Sequence, residues 1–259
     1  LIGKAGKEVE LTVNSKPSPD KSSKVLIKPI GDESSLYYLN WVQDNIRKVS
    51  KATDGKVGYL HVPDMGATGL NEFVKYYYPQ LTKKALIIDV RGNGGGNVSP
   101  MLIERLLRTV TYITMHTGRK TGDVNPVGQL VGPKVTLLDK YSASDGDLFP
   151  YRFKYNKIGK LIGTRSWGGV VGYSGAIPCI DGGSIITPSY APFAADGSGF
   201  IIEGWGVEPD ILIENDPAKE YQGIDDQLNK AIEVIKEEMK NFNYSIPPIP
   251  PFPDKSGKK

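Results

Sequence analysis

An apolar, β-branched run that stops at glycines and resumes as an amphipathic helix limits this chain to few architectures. Leu86-Ile87-Ile88-Asp89-Val90 reads as a buried strand, Arg91-Gly92-Asn93-Gly94-Gly95-Gly96-Asn97-Val98 as a tight turn, and Ser99 to Leu107 as the helix. Strands alternating with helices through short turns imply an α/β sheet. The pattern recurs. Strands are expected at Val57 to His61, Ala85 to Val90 and Lys134 to Leu138, with helices near Gly69 to Tyr78, Pro100 to Val110 and Asp145 to Tyr155. The expected class is therefore α/β.

The second informative junction is Ser142-Ala143-Ser144-Asp145-Gly146-Asp147, between the strand ending at Leu138 and a helix that contains Leu148-Phe149-Pro150, with the proline expected in its first turn. Small residues let a chain turn sharply there, which exposes a serine hydroxyl beside the unpaired N–H groups of a helix start. Those donors can hold a developing oxyanion, the electrostatic half of acyl transfer. The same residues also read as a plain helix N-cap. The triple glycine permits close backbone approach and positive φ, so one of its N–H groups can point into a site. It also reads as an ordinary turn. A dinucleotide site is poorly matched, because Gly-x-Gly-x-x-Gly and its following acidic residue are not in place, and no Lys-Ser or Lys-Thr follows the glycines as a phosphate-binding loop requires.

Charge and cysteine usage narrow the classes further. With 32 Lys and Arg against 29 Asp and Glu, the excess is too small to argue for nucleic acid. The one cysteine, Cys179, favours no disulfide framework, and no run is long and apolar enough to span a membrane. A count of 259 residues suits one domain plus a tail.

Taken together in one order, several motifs resemble the C-terminal catalytic part of the tricorn proteases, relatives of the C-terminal processing peptidases. They are Asp89 to Ser99, Ser142 to Asp147, Gly58-Tyr59-Leu60-His61-Val62-Pro63-Asp64-Met65-Gly66, Gly163-Thr164-Arg165-Ser166-Trp167-Gly168-Gly169-Val170, and Gly204-Trp205-Gly206-Val207-Glu208-Pro209-Asp210. The resemblance covers most of the chain. It implies a crotonase-like sheet-and-helix core, a serine peptidase without metal or organic cofactor, and Ser144 as nucleophile. It further implies that the N–H of Asp145 forms part of the oxyanion hole, with a glycine of the triple run as the other donor. Gly95 is favoured, Gly94 and Gly96 being its neighbouring alternatives. A glutamate shortly before the Gly-Val-x-Pro-Asp motif orients the base in such enzymes, and Glu203 fits that place better than Glu208.

A serine hydroxyl needs a base. The chain has two histidines, His61 and His116, and neither follows a small residue in the Ser-His or Thr-His pair of the tricorn-like enzymes, so both are read as structural or peripheral. A lysine base, as in the processing peptidases, is expected in the region of Gly163 to Gly172, which holds Arg165 but no lysine; Lys154, Lys157 and Lys160 fall too close to Ser144 along the chain. The resemblance thus implies a histidine supplied by an upstream domain.

The expected organisation is the end of a PDZ-like domain and linker over residues 1–30, with Gly6 to Val13 as its last alternating strand, a catalytic domain over 31–240 and a Pro-rich tail over 241–259. Leu39, Trp41, Val42, Ile46 and Val49 are expected as the core stripe of a helix over Leu36 to Ser50, and Ile224 to Met239 as an amphipathic closing helix. A hairpin is expected around Gly182-Gly183. The implied partners are short peptides, histidine-bearing, PDZ and propeller domains upstream, and further copies of the chain. Neither nucleic acid nor membrane is expected, and the expected compartment is the cytoplasm, with the periplasm as alternative. Two rival readings remain: a non-catalytic binding module on the same fold, and an acyl-CoA enzyme of the crotonase group.

Overall fold

A computed structural model describes residues 1–253 and 255–257. It divides into two compact units, Leu1–Asn45 and Ile46–Lys259. In the first, β1 (Val9–Val13) pairs antiparallel with β2 (Ser23–Ile27), from Val9 opposite Ile27 to Val13 opposite Ser23. Helix α1 (Ser34–Ala52) begins in this unit. Of its expected core stripe, Val42 is buried, whereas Leu39 and Trp41 are 40% and 38% exposed and are not core residues. An apolar residue at helical spacing reports a stripe, not what covers it.

The second unit is built on a five-stranded parallel sheet. Its strands are β3 (Val57–His61), β4 (Ala85–Asp89), β7 (Lys134–Leu138), β8 (Gly159–Gly163) and β11 (Ile211–Leu212), in the spatial order β11-β8-β7-β4-β3. The helices between them are α2 (Ala67–Tyr77), α3 (Ser99–Leu106) and α4 (Asp145–Tyr155). Small hairpins decorate the connections: β5 (Tyr112–Thr114) with β6 (Asp123–Asn125), and β9 (Ile177–Pro178) with β10 (Ser184–Ile185) around the glycines as expected. Helix α4 starts at Asp145, so Pro150 lies in its interior and not in its first turn.

Strand side chains alternate between two cores because successive residues point to opposite faces. Leu60, Leu86, Ile88, Leu138 and Leu161 face Phe73 and Tyr77 of α2, Leu102 of α3, and Phe149 and Phe153 of α4. Tyr59, Ile87, Val135, Leu137 and Ile162 face the other way, against Val49 of α1 and Leu228, Ala231 and Ile235 of the closing helix α6 (Asp226–Asn241). Each fully buried side chain contributes on the order of 1.5–3 kcal/mol. Strands β3, β4 and β7 are buried at every residue, which is why they read as predominantly apolar runs, with His61, Asp89, Lys134 and Thr136 as their buried polar positions. Helix α6 starts two residues later than its apolar pattern because the Asp225 carboxylate caps it, accepting from the Leu228 N–H. Between β11 and α6 lies a short helix, α5 (Pro217–Tyr221).

After Asn241 no further helix or strand follows among the described residues, and positions 254, 258 and 259 of the expected tail lie outside them. No helix among the described residues is long and apolar enough to cross a membrane.

Candidate active site

In a parallel sheet the loops at the carboxyl ends of the strands converge, and ligands bind there. Here those loops are 62–66 after β3, 90–98 after β4 and 139–144 after β7. The last delivers Ser144 to the N-cap of α4 with φ 56° and ψ −121°. This positive φ is a strained conformation for serine, of order 1–3 kcal/mol, held because both flanks are fixed. Ala143 donates its N–H to the Asn93 carbonyl at 2.8 Å, and Ser144 donates its own to the Gly169 carbonyl at 3.0 Å. Ser144 is exposed, and its hydroxyl makes no capping bond. Ser142 is the opposite case: it is buried, and its hydroxyl donates to the Val90 carbonyl at 2.9 Å. The two serines of Ser-Ala-Ser are thereby distinguished, one structural and one presented to solvent.

The glycine turn lies against this serine. A Cβ built on Gly95, where φ is +102°, would stand 2.6 Å from the Ser144 Cβ and 3.0 Å from the Asp145 nitrogen, so Gly95, Ser144 and Asp145 are brought together. At Gly96 a Cβ would strike the Met65 carbonyl oxygen at 2.1 Å. The Asp145 N–H has no hydrogen-bond partner among the described residues. The Gly95 N–H donates to Asn93 Oδ1 at 2.9 Å, while Met65 and Asn97 pair with the turn through Gly95 O and Met65 O at 2.8 and 2.7 Å. That ladder leaves the N–H of Gly96 without a partner among the described residues.

Glu203 joins the site through a loop. Its Oε2 accepts the N–H groups of Val170 at 2.7 Å and Val171 at 2.8 Å, directly after the Gly169 whose carbonyl holds Ser144. Glu208, the other candidate glutamate, is exposed and faces Arg165 at 3.8 Å.

Asn93, Asp147 and the carboxylate of Asp145 support the site in ways that the sequence does not mark. Asn93 is buried and bonds three segments at once, through its side-chain amide to Val62 O at 2.8 Å, through Oδ1 to Gly95 and through its carbonyl to Ala143. The Asp145 carboxylate accepts the Ser99 N–H at 2.9 Å, the Ser99 hydroxyl, and Arg152 at 3.1 Å, which ties α4 to the start of α3. Asp147 is fully buried and accepts the Gly168 and Gly169 N–H groups at 2.8 and 3.3 Å. Its place three residues after an N-cap serine is the spacing of a capping box, yet the carboxylate serves the distant Gly168 and Gly169 N–H groups.

No side chain among the described residues hydrogen-bonds the Ser144 hydroxyl. His61 Nε2 lies 3.0 Å from the Arg91 carbonyl, and His116 pairs with Asp123 at 3.2 Å in the β5–β6 hairpin. Lys154 pairs with Asp210 at 3.0 Å and Lys160 with Glu238 at 2.8 Å.

Comparison with known proteins is consistent across sequence and structure. The family described as peptidase family S41 matches residues 56–213. The chain is 38% identical over 248 residues to a tricorn protease of Thermoplasma volcanium, covering 95% of this chain and 24% of that protein. It is 34% identical over 251 residues to tricorn protease homolog 1 of Streptomyces coelicolor, covering 97% and 23%. A crystal structure of the tricorn protease superposes with a TM-score of 0.83 at 37% identity, over 92% of this chain and 23% of that one. The chain thus spans about a quarter of the length of the relatives it matches.

Proposed function

The chain belongs to peptidase family S41, and from that premise we propose that it hydrolyses peptide bonds through an acyl-enzyme on Ser144. The observation that carries this reading is an exposed serine hydroxyl, free of capping duty, at a strained helix start against a side-chain-less turn. The Ser144 Oγ attacks the scissile carbonyl carbon and gives its proton to a base, which returns it to the leaving amine; water then hydrolyses the ester by the same steps reversed. The carbonyl oxygen becomes an oxyanion held by the Asp145 N–H and by the Gly95–Gly96 peptide unit. Gly95, the donor favoured from the sequence, provides the close approach but gives its N–H to Asn93 Oδ1, so the neighbouring alternative Gly96, whose N–H is uncommitted among the described residues, takes the donor role in its place. Each such donor lowers the barrier by about 3–4 kcal/mol.

Glu203 orients and stabilises the protonated base. That base is a histidine from an upstream domain of the same protein; the commitment of both histidines of this chain to other partners supports this, as does the absence of any bond to the Ser144 hydroxyl among the described residues. The finer architecture follows the same relationship: a crotonase-like core over residues 31–240, a PDZ-like strand within residues 1–30, a Pro-rich tail over 241–259, further domains upstream and a homo-oligomer in the cytoplasm, acting on short peptides.

A fluorophosphonate probe with adduct mapping by mass spectrometry tests the reading. Labelling of Ser144 in the full-length protein, and not in the isolated chain, is the expected result. Labelling of the isolated chain would return the base to these residues, and labelling of neither would favour a catalytically silent binding module.

A further inference from the structure

Four successive backbone N–H groups, those of Gly168, Gly169, Val170 and Val171, are divided between two carboxylates. The first two go to Asp147 on α4, at 2.8 and 3.3 Å, and the next two to Glu203, at 2.7 and 2.8 Å. The carbonyl in the middle of this segment, that of Gly169, takes the N–H of Ser144. The nucleophile and the glutamate therefore lean on one short stretch of chain, and Asp147 is the side chain that ties that stretch to the nucleophile's helix, beside the backbone bonds from Ser144 to Gly169 and from Trp167 to Ser142.

Resting on the assignment of Ser144 as nucleophile and Glu203 as the group that orients the base, we propose that Asp147 is a positioning residue of this site. By gripping Gly168 and Gly169 it sets the register of the segment and hence the placement of Glu203 relative to Ser144. Asp147 is fully buried and has no cationic partner within ion-pair distance among the described residues. Burial raises its carboxyl pKa, and the Ser166 hydroxyl and the two glycine N–H groups work against that rise. A buried carboxylate is a costly way to end a helix when the N-cap hydroxyl is three residues away. Here the N-cap hydroxyl is the nucleophile and makes no capping bond. Misplacing a catalytic group by about 1 Å can cost about a hundredfold in rate, so a small slip of this segment registers in turnover long before it registers in peptide binding.

The test uses the full-length protein and compares wild type, Asp147→Asn, Glu203→Gln and the double variant by kcat, KM and the rate of fluorophosphonate labelling at Ser144. Asn fills the same volume but sets an N–H against one of the glycine N–H groups. The expected result for Asp147→Asn is a fall in kcat and labelling rate of about tenfold or more per folded molecule, with KM within about twofold of wild type. The double variant should be no more than about twofold slower than Glu203→Gln, because both act through one segment. An Asp147→Asn enzyme that melts earlier but turns over and labels at the wild-type rate would overturn the proposal, as would losses that multiply in the double variant. If Asp147→Asn does not fold, Asp147→Glu keeps the charge and moves the carboxylate by one methylene, and an unchanged kcat and labelling rate there overturns the proposal equally. A wild-type protein that cleaves peptide with no label on Ser144 would defeat the underlying assignment, a result distinct from a labelled but unaffected Asp147→Asn variant.

Discussion

The α-carbon of Gly95 packs so closely on Ser144 that a methyl group at 95 would stand 2.6 Å from the serine Cβ and 2.9 Å from the Ala143 carbonyl oxygen. Gly95→Ala has no space to relax into, and φ of +102° penalises any side chain there. The expected outcome is a loss of stability of about 1–3 kcal/mol together with a fall in kcat/KM of about a hundredfold or more, read by thermal melting and peptide hydrolysis. Turnover near the wild-type rate in a folded Gly95→Ala protein would remove the glycine turn from the oxyanion hole.

Glu203 and Glu208 lie five residues apart and separate cleanly. Glu203 accepts two N–H groups beside the Ser144 loop, whereas Glu208 is exposed and its 3.8 Å approach to Arg165 is a surface contact of little energetic weight. In Glu203→Gln the amide oxygen can still accept both N–H groups, so the melting temperature should move little while kcat drops about tenfold to a hundredfold through loss of the negative charge. Glu208→Gln should leave both unchanged. Steady-state kinetics on the pair decides it, and the reverse pattern would transfer the orienting role to Glu208.

The distribution of legible and illegible features follows from their range along the chain. The strands β3 and β7 match their expected bounds to the residue because their interiors are dominated by buried apolar and β-branched side chains, with polar residues confined to Lys134, Thr136 and His61. Ser144, Asp145, Gly95 and Glu203 carried recognisable local motifs. Asn93 and Asp147 act across 50 and 21 residues, through bonds to Ala143 and Gly168, and nothing local in an asparagine or an aspartate says which distant N–H it will meet. The same limit explains Leu39 and Trp41, whose helical spacing was right and whose exposure depends on what packs elsewhere.

His61→Ala separates a structural histidine from a catalytic one. The ring is buried at the end of β3, with Nε2 against the Arg91 carbonyl at 3.0 Å. Its removal leaves that carbonyl and the surrounding space unfilled, at a cost of about 1–3 kcal/mol. Melting temperature should fall while kcat stays at the wild-type value. A selective loss of turnover with normal melting would make His61 the missing base.

Arg91 joins the site loop to the closing helix. Its guanidinium reaches Asp89 at 2.7 Å and Asp225 at 2.9 Å, in a nearly dry setting where Asp89 is fully buried. Arg91→Met would strand the Asp89 charge and should cost about 3–5 kcal/mol in denaturant unfolding. Burial alone would raise the Asp89 carboxyl, but the Arg91 charge and hydrogen bonds hold it below its ordinary value. With the folded pKa below the unfolded one, the unfolded chain takes up the proton first. The stabilisation is therefore complete above about pH 4 and is lost as pH falls through the folded value. Acid unfolding of wild type should show this loss, and Arg91→Met should not.

Lys134 carries the opposite pH signature at the other end of the sheet. It opens β7, whose far end leads to Ser144, and among the described residues its buried ammonium donates to the Gly132 carbonyl alone, at 3.0 Å. Burial lowers its pKa to about 8. An unfolded lysine titrates near about 10.4, so between about pH 8 and about 10.4 the unfolded chain binds the extra proton and stability rises with pH; below that window the folded chain bears the whole cost of a charged, buried amine. Lys134→Met keeps most of the apolar stem and removes the charge. It should therefore raise the unfolding free energy at pH 7, by about 3 kcal/mol or less, and flatten the rise in stability above pH 8. Peptide turnover should not change, since the substitution lies at the amino end of a strand whose carboxyl end serves the site. A destabilised Lys134→Met protein with the wild-type pH slope would mean that the ammonium is compensated in the folded chain.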